Sequence, residues 1–182
     1  MKSIRFYASV TIVTLFLASC SGSSESAAAA QLRTQHEASI SRLFGRPELR
    51  FYLMLPDSFV GGSFPRGTAV LLRQLEQLET TYLGVLQASS GSSQAVIQTH
   101  RAFEQFTRQA AELYELMAAG ASSIKNTRDG LEISDPSLNA EYNRRVDEVN
   151  AARDRFEVAV RELPPKHQVS FSRMGLTVFI TK

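Results

Sequence analysis

Tryptophan is missing from the 182 residues and cysteine occurs once. A single thiol excludes any disulfide within the chain. The absence of tryptophan beside eleven phenylalanines suits a packed helical core better than an aromatic sugar-binding platform. A surplus of either charge is wanting as well. The 20 Lys and Arg face 18 Asp and Glu, and two of the cations, Lys2 and Arg5, lie in an N-terminal stretch without acidic residues. Past that stretch the signs cancel, so no net field is available to hold a phosphate backbone and nucleic acid is not an expected partner. The apolar run Phe6–Ala18 has 13 residues, short of the roughly 20 that a membrane-crossing helix needs. With 43% hydrophobic residues and a length of 182, the chain is sized for one domain with a real core.

Motifs that carry chemistry are equally scarce. His36, His100 and His167 stand 64 and 67 residues apart, none with a cysteine nearby and none in an HExxH arrangement, so the spacing predicts no metal site. No GxSxG elbow, Walker loop or GxGxxG occurs, and Gly61-Gly62 is too short to cradle a phosphate. His100 falls on the apolar stripe of a helix and is expected to be a hydrogen-bonded core residue. Neither a catalytic residue nor a cofactor is expected. The spaced charges Arg73/Glu76, Arg108/Glu112 and Arg144/Glu148, with Asp154 beside Arg155, fit solvated helix faces.

What the chain does have is a strongly marked start. Residues 1–19 combine the cations Lys2 and Arg5 with the short apolar run and a small residue before Cys20, the pattern of a signal peptide. Leu17-Ala18-Ser19-Cys20 resembles the bacterial lipobox. That resemblance implies that Cys20 becomes the first residue of the mature chain and is linked to lipid through its thiol. Two or more acyl chains make such an anchor stable, at about 0.8 kcal/mol per buried methylene. Ser21 after Cys20, in place of Asp, resembles lipoproteins sorted to the outer membrane, facing the periplasm, if the cell is Gram-negative. Residues 20–30 then read as the lipidated Cys and a small, polar tether.

Residues 31–182 are expected to form one mainly α domain, an antiparallel helical bundle with a small C-terminal β-hairpin. A first helix is predicted from about Ala28 to Phe44 on Leu32, His36, Ile40 and Leu43, ended by Gly45 and Pro47. Glu48–Leu55 reads as strand or short helix. Asp57–Gly67 reads as a long loop, because of Pro56, Gly61, Gly62, Pro65 and Gly67. A second helix is predicted to start at an N-cap Thr68 and to bury Leu71, Leu75, Leu78, Tyr82 and Val85. A third, from about Ser93 to Ala119, buries Val96, His100, Phe103, Thr107, Ala110, Tyr114 and Met117, with Gly120 as its stop. Asp129-Gly130 marks a turn. A fourth helix, capped by Asp135 with Pro136 in its first turn, buries Leu138, Tyr142, Val146, Val149, Phe156, Val160 and Leu163 and ends at Pro164-Pro165. The alternation of Val169, Phe171, Leu176, Val178 and Ile180 predicts the hairpin, which must pack on the helices.

Tyr142-Asn143, Val146, Asn150 and Phe156 resemble the last helix of LemA-type helical proteins. Asp129-Gly130 through Tyr142-Asn143 is similar to part of the YiaF-like lipoproteins. Both resemblances imply a helical envelope lipoprotein and no activity. The expected function is therefore a non-enzymatic, membrane-anchored binding module with an envelope protein as partner, its candidate contacts being Phe59, Val60 and Phe64 on the long loop. One specific form is an immunity or exclusion lipoprotein acting against a toxin or transfer apparatus. The rival is a periplasmic hydrolase, which would show His100 clustered with buried carboxylates, whereas a solid core with one exposed apolar patch would favour the binder.

Overall fold

The computed structural model describes residues 27–44, 64–88, 92–127, 130–165 and 167–168. Four helices carry the fold: α1 (Ala27–Phe44), α2 (Phe64–Ala88), α3 (Gln94–Ala119) and α4 (Pro136–Glu162). A 3-10 turn (Ala121–Ser123) and the strands β1 (Ile124–Thr127) and β2 (Gly130–Ile133) lie between α3 and α4. The mainly α bundle with a small antiparallel sheet is the architecture expected from the sequence. The described sheet flanks Asp129-Gly130, where the sequence predicts a turn but no strand. The predicted hairpin of Val169–Thr181 lies outside the described residues, as does Glu48–Leu55.

Helix starts follow local chemistry. Ala27–Ala30, which close the expected tether, already belong to α1, in keeping with alanine's helix propensity. The second helix begins at Phe64, four residues before the expected N-cap Thr68. Pro65 does not block it, because the amide that proline lacks has no partner in a first helical turn anyway. Thr68 is consequently buried inside the first turns. The fourth helix starts as predicted: the Asp135 carboxylate accepts hydrogen bonds from the Ser137 and Leu138 amides, at 2.8 and 3.2 Å, and Pro136 follows it.

The helices pack antiparallel where their contacts define a direction. Between α2 and α3, Arg73 meets Glu115, Glu76 meets Arg108 and Thr80 meets Glu104. Between α3 and α4, the Thr99 hydroxyl reaches the Ala159 carbonyl, Phe103 lies 4.9 Å from Phe156 between ring centres, and Glu112 pairs with Arg145. In both cases rising numbers on one helix match falling numbers on the other. The core joins Leu72 and Leu75 of α2, Phe103, Phe106, Ala110 and Tyr114 of α3, Val149, Ala152, Phe156 and Val160 of α4, and Ile40 of α1. On α2 the expected stripe is buried at Leu71, Leu75 and Tyr82 and half-buried at Leu78, but the inward face is broader than predicted, taking in Leu72, Glu79 and Leu83 and leaving Val85 exposed.

The sheet closes one end of this core. Ile124 pairs with Ile133 and is buried, and the Ser134 amide donates to the Ser123 carbonyl at 2.9 Å. Gly120 allows the helix junction to close: a Cβ there would lie 2.3 Å from Leu138 Cδ2. Among the described residues most surface ion pairs run along single helices, as the spacing predicts, and Arg73–Glu115, Arg108–Glu76 and Arg145–Glu112 tie neighbouring helices together as a ladder. Arg73 bridges Glu76 and Glu115, and Arg108 bridges Glu76 and Glu104. Glu112, expected to partner Arg108, is taken by Arg145 of α4, and the ion pair of Asp154 is with Arg153.

Two outcomes follow from this packing. Phe156, almost fully buried against Phe103 and Phe106, should cost about 3–5 kcal/mol in a denaturant titration when changed to Ala. A change below about 1 kcal/mol would mean the α4 face is misassigned. The ladder supplies the second. Burial opposes the charge on Glu76, but hydrogen bonds from Arg108 and Arg73 outweigh it and hold its pKa below the ordinary 4.5. Glu115 is lowered chiefly by its hydrogen bond from Arg73. Both are more acidic folded than unfolded, so the stability they add is complete above their unfolded values and is lost as the pH falls through their folded ones. Melting temperature should therefore drop on acidification below about pH 4.5, the unfolded carboxylate range, and the Glu76→Gln/Glu115→Gln double variant should give the flatter profile. Equal slopes would show that the ladder adds nothing.

Candidate functional site

The most unusual group in the molecule is Glu79, a carboxylate with no exposed surface at all on α2. Its neighbours on the inner face are apolar, Leu75 and Leu72 one and two turns before it and Leu83 one turn after. Leaving an ionised carboxylate in such surroundings costs several kcal/mol unless partners replace the lost water. Two histidines from two other helices do so. His36 of α1 lies with Nε2 2.8 Å from Glu79 Oε2, and His100 of α3 presents Nδ1 to Glu79 Oε1. Both imidazoles are themselves buried.

Tyr82, one turn along α2 from Glu79, orders the two rings. It stacks on His36 with ring centres 3.9 Å apart and planes 15° from parallel, and meets His100 edge-on at 5.0 Å. His36 and His100 are 5.5 Å apart, also edge to face. Burial pushes the Glu79 pKa upward, but the charge and hydrogen bond of His100, followed by those of His36, prevail and hold it below its ordinary value. An ionised carboxylate only accepts hydrogen bonds, so the protons in both contacts belong to the histidines. His36 Nδ1, on the far side of its ring, is buried without a hydrogen-bond partner.

His36 Nε2 or Nδ1, a Glu79 oxygen and a His100 nitrogen form a group of potential ligand atoms all within 4.8 Å of one another. The sequence spacing predicts no metal site, and the structure brings together three side chains that could hold an ion. The spacings of 43 and 21 residues belong to no local motif, and the cluster exists only because three helices converge. His100 is the hydrogen-bonded core histidine that its stripe position predicted. His36 also lies on its predicted stripe. Glu79 was missed; its signal was a charged residue one turn after Leu75 and one before Leu83, on a face otherwise apolar. His167 is half-buried beyond the end of α4 and is not in the group.

The other candidate residues fare differently. Cys20, Phe59 and Val60 lie outside the described residues. Phe64 is the first residue of α2 and not part of a loop, again because Pro65 is acceptable in the first turn. Among the described residues the large exposed apolar side chains are Val70, Val85 and Val158. Val70 and Val85 are about 22 Å apart along α2, so they do not make one patch, and scattered apolar side chains are ordinary on a surface. Ser122 and Lys125 have SxxK spacing, but they sit in the 3-10 turn and β1, both exposed, not on one face of a helix. No protein-family model matches the chain, and neither a curated protein nor a solved structure matches it.

Removing one member of the buried group should be costly. Glu79→Ala leaves two buried imidazoles without their acceptor and should destabilise by about 3–5 kcal/mol. Glu79→Gln, which keeps the shape and one acceptor oxygen, should lose less. Denaturant midpoints of the two variants check this, and a wild-type midpoint for Glu79→Ala would rule out any structural contribution from the cluster.

Proposed function

We propose that the protein is a lipid-anchored lipoprotein of the bacterial envelope whose helical body acts as a non-enzymatic binding module. The observation that carries this reading is the N-terminal sequence, in which the only cysteine of the chain, Cys20, ends a short apolar run at Leu17-Ala18-Ser19-Cys20. The helices after it agree with a body that stays outside the bilayer: among the described residues no helix is long and apolar enough to cross a membrane. An envelope protein is the partner proposed, with Phe59, Val60 and Phe64 as contacts, and an immunity or exclusion role is the specific form. The short similarities to LemA-type and YiaF-like proteins fall on the stretch from Asp129 to Phe156 and support a helical lipoprotein without indicating an activity.

A hydrolase is the second reading, favoured by the outcome expected for it, His100 clustered with a buried carboxylate and a second histidine, while the single exposed apolar patch expected for a binder is not found among the described residues. General acid–base work needs a group within hydrogen-bond reach of the substrate. Glu79 has no exposed surface and the two imidazoles have 5–6%, so the binding module is preferred.

Metabolic labelling with a radioactive fatty acid tests the anchor. Wild-type chain should be labelled and recovered with membranes, and Cys20→Ala should lose the label and keep its leader, because lipid attachment precedes cleavage in the pathway that the lipobox resembles. Unchanged labelling and membrane retention in Cys20→Ala would defeat the proposal.

A further inference from the structure

We propose that His36, Glu79 and His100 form a binding site for one divalent transition-metal ion of the zinc class, and that the ion clamps α1 onto the hairpin of α2 and α3. The donor set is two imidazoles and a carboxylate, a combination that suits zinc and its neighbours and is foreign to calcium or magnesium, which take oxygen ligands. Each ligand comes from a different helix, and their donor atoms lie within 4.8 Å of one another. Tetrahedral zinc with bonds of about 2.0–2.1 Å needs donors about 3.3 Å apart. The contacts of both rings with Glu79, 2.8 Å from His36 Nε2 to Oε2 and shorter from His100, have to open slightly to reach that spacing, and no pair of donors in the group starts more than 4.8 Å apart.

The surroundings are those of a metal site as much as of a hydrogen-bonded triad. The stacked Tyr82 fixes the plane of His36 and borders His100, so the donors are held in place before an ion arrives. All three ligands are shielded from water, which removes the competition of solvent for the ion. On binding, the ring nitrogen of each imidazole that faces Glu79 must offer its lone pair to the ion, so the proton of the neutral ring sits on the other nitrogen, which for His36 is Nδ1. Three protein ligands leave one coordination position for water or for a group of the ligand's own choosing.

The consequence for the fold falls on α1. Its buried side chains among the described residues are His36, Ile40 and Leu43, and His36 is the polar one of the three. A shared ion replaces a hydrogen bond there by a coordinate link to α2 and α3. The site does not depend on the lipid, so a failure at Cys20 and a failure here are separate results.

The test uses the full chain in detergent, stripped with a chelator and then titrated with zinc or cobalt alone. Wild type should take up one zinc per chain, cobalt should give the visible ligand-field absorption of a tetrahedral site, and both should be lost together in His36→Gln/His100→Gln. Affinity in Glu79→Gln should fall by more than the roughly 10–100-fold typical of a change behind the ligands. Because the variants alter a buried cluster, hydrogen exchange on wild type gives an independent measurement: chelation should speed exchange of the α1 amides, and zinc should restore their protection. Sub-stoichiometric zinc in wild type, undiminished binding in the double variant, or α1 exchange indifferent to chelation would each overturn the proposal.

Discussion

A buried carboxylate is the constraint around which this bundle is arranged. Glu79 sits where the pattern of α2 calls for an apolar side chain, and an uncompensated charge there would cost more than one aliphatic contact returns. Compensation from its own helix is not available, since the positions one turn away, Leu75 and Leu83, are apolar. It has to come from across the interfaces, and the contacts with His36 and His100 provide it. Glu79 therefore demands that α1 and α3 both be in place, in one register, before its charge is satisfied. An apolar residue at the same position would tolerate several arrangements of α1, whereas the pair of directional contacts tolerates few.

This explains an imbalance in how the helices are held. The interfaces of α2 with α3 and of α3 with α4 rest on extensive apolar packing, reinforced by Thr99 and by the arginine ladder. The hold on α1 is narrower and partly polar. Segments with few buried apolar contacts open most readily in folded proteins. The physical difference between α1 and the rest is thus the strength of its attachment, and the attachment runs through an imidazole. Any change at the cluster, whether a cation, a proton or a substitution, acts first on α1 and only then on the three-helix body.

The architecture was largely legible in the sequence and the cluster was not. The third and fourth helices came through because their stripes are long and their ends carry local signals: Gly120 closes one, while Asp135 with Pro136 opens the other. The start of α2 was misplaced by four residues because Pro65 and Gly67 were given the meaning they have inside a helix, not the one they have in a first turn. The sheet illustrates competition between signals: Asp129-Gly130 was read as a turn without its flanking strands, which are only four residues each and carry little alternation. Glu79 was hidden for a different reason. A charged residue inside an apolar stripe has no meaning until the opposite helices supply partners, and His36 and His100 were each assessed alone. The leucines at 72, 75 and 83 mark the broader buried face of α2 that includes Glu79, but they do not say what would face its carboxylate.

If Cys20 carries lipid, the order of elements along the chain gives the cluster a mechanical meaning. Cys20 and the first helical residue, Ala27, are separated by a segment that reaches at most about 25 Å when fully extended. The first folded element after the anchor is therefore α1, the helix most narrowly held to the body. Force or geometry imposed at the membrane reaches the three-helix core through the contacts of α1, among which the link from His36 to Glu79 is the directional one. Apolar contacts at Ile40 and Leu43 can slide with modest loss, because dispersion and burial are not directional. The imidazole–carboxylate contact cannot slide without leaving a buried charge short of a partner. With a lipid on Cys20, tension drawn through the tether would therefore meet this buried contact before it reached the three-helix core.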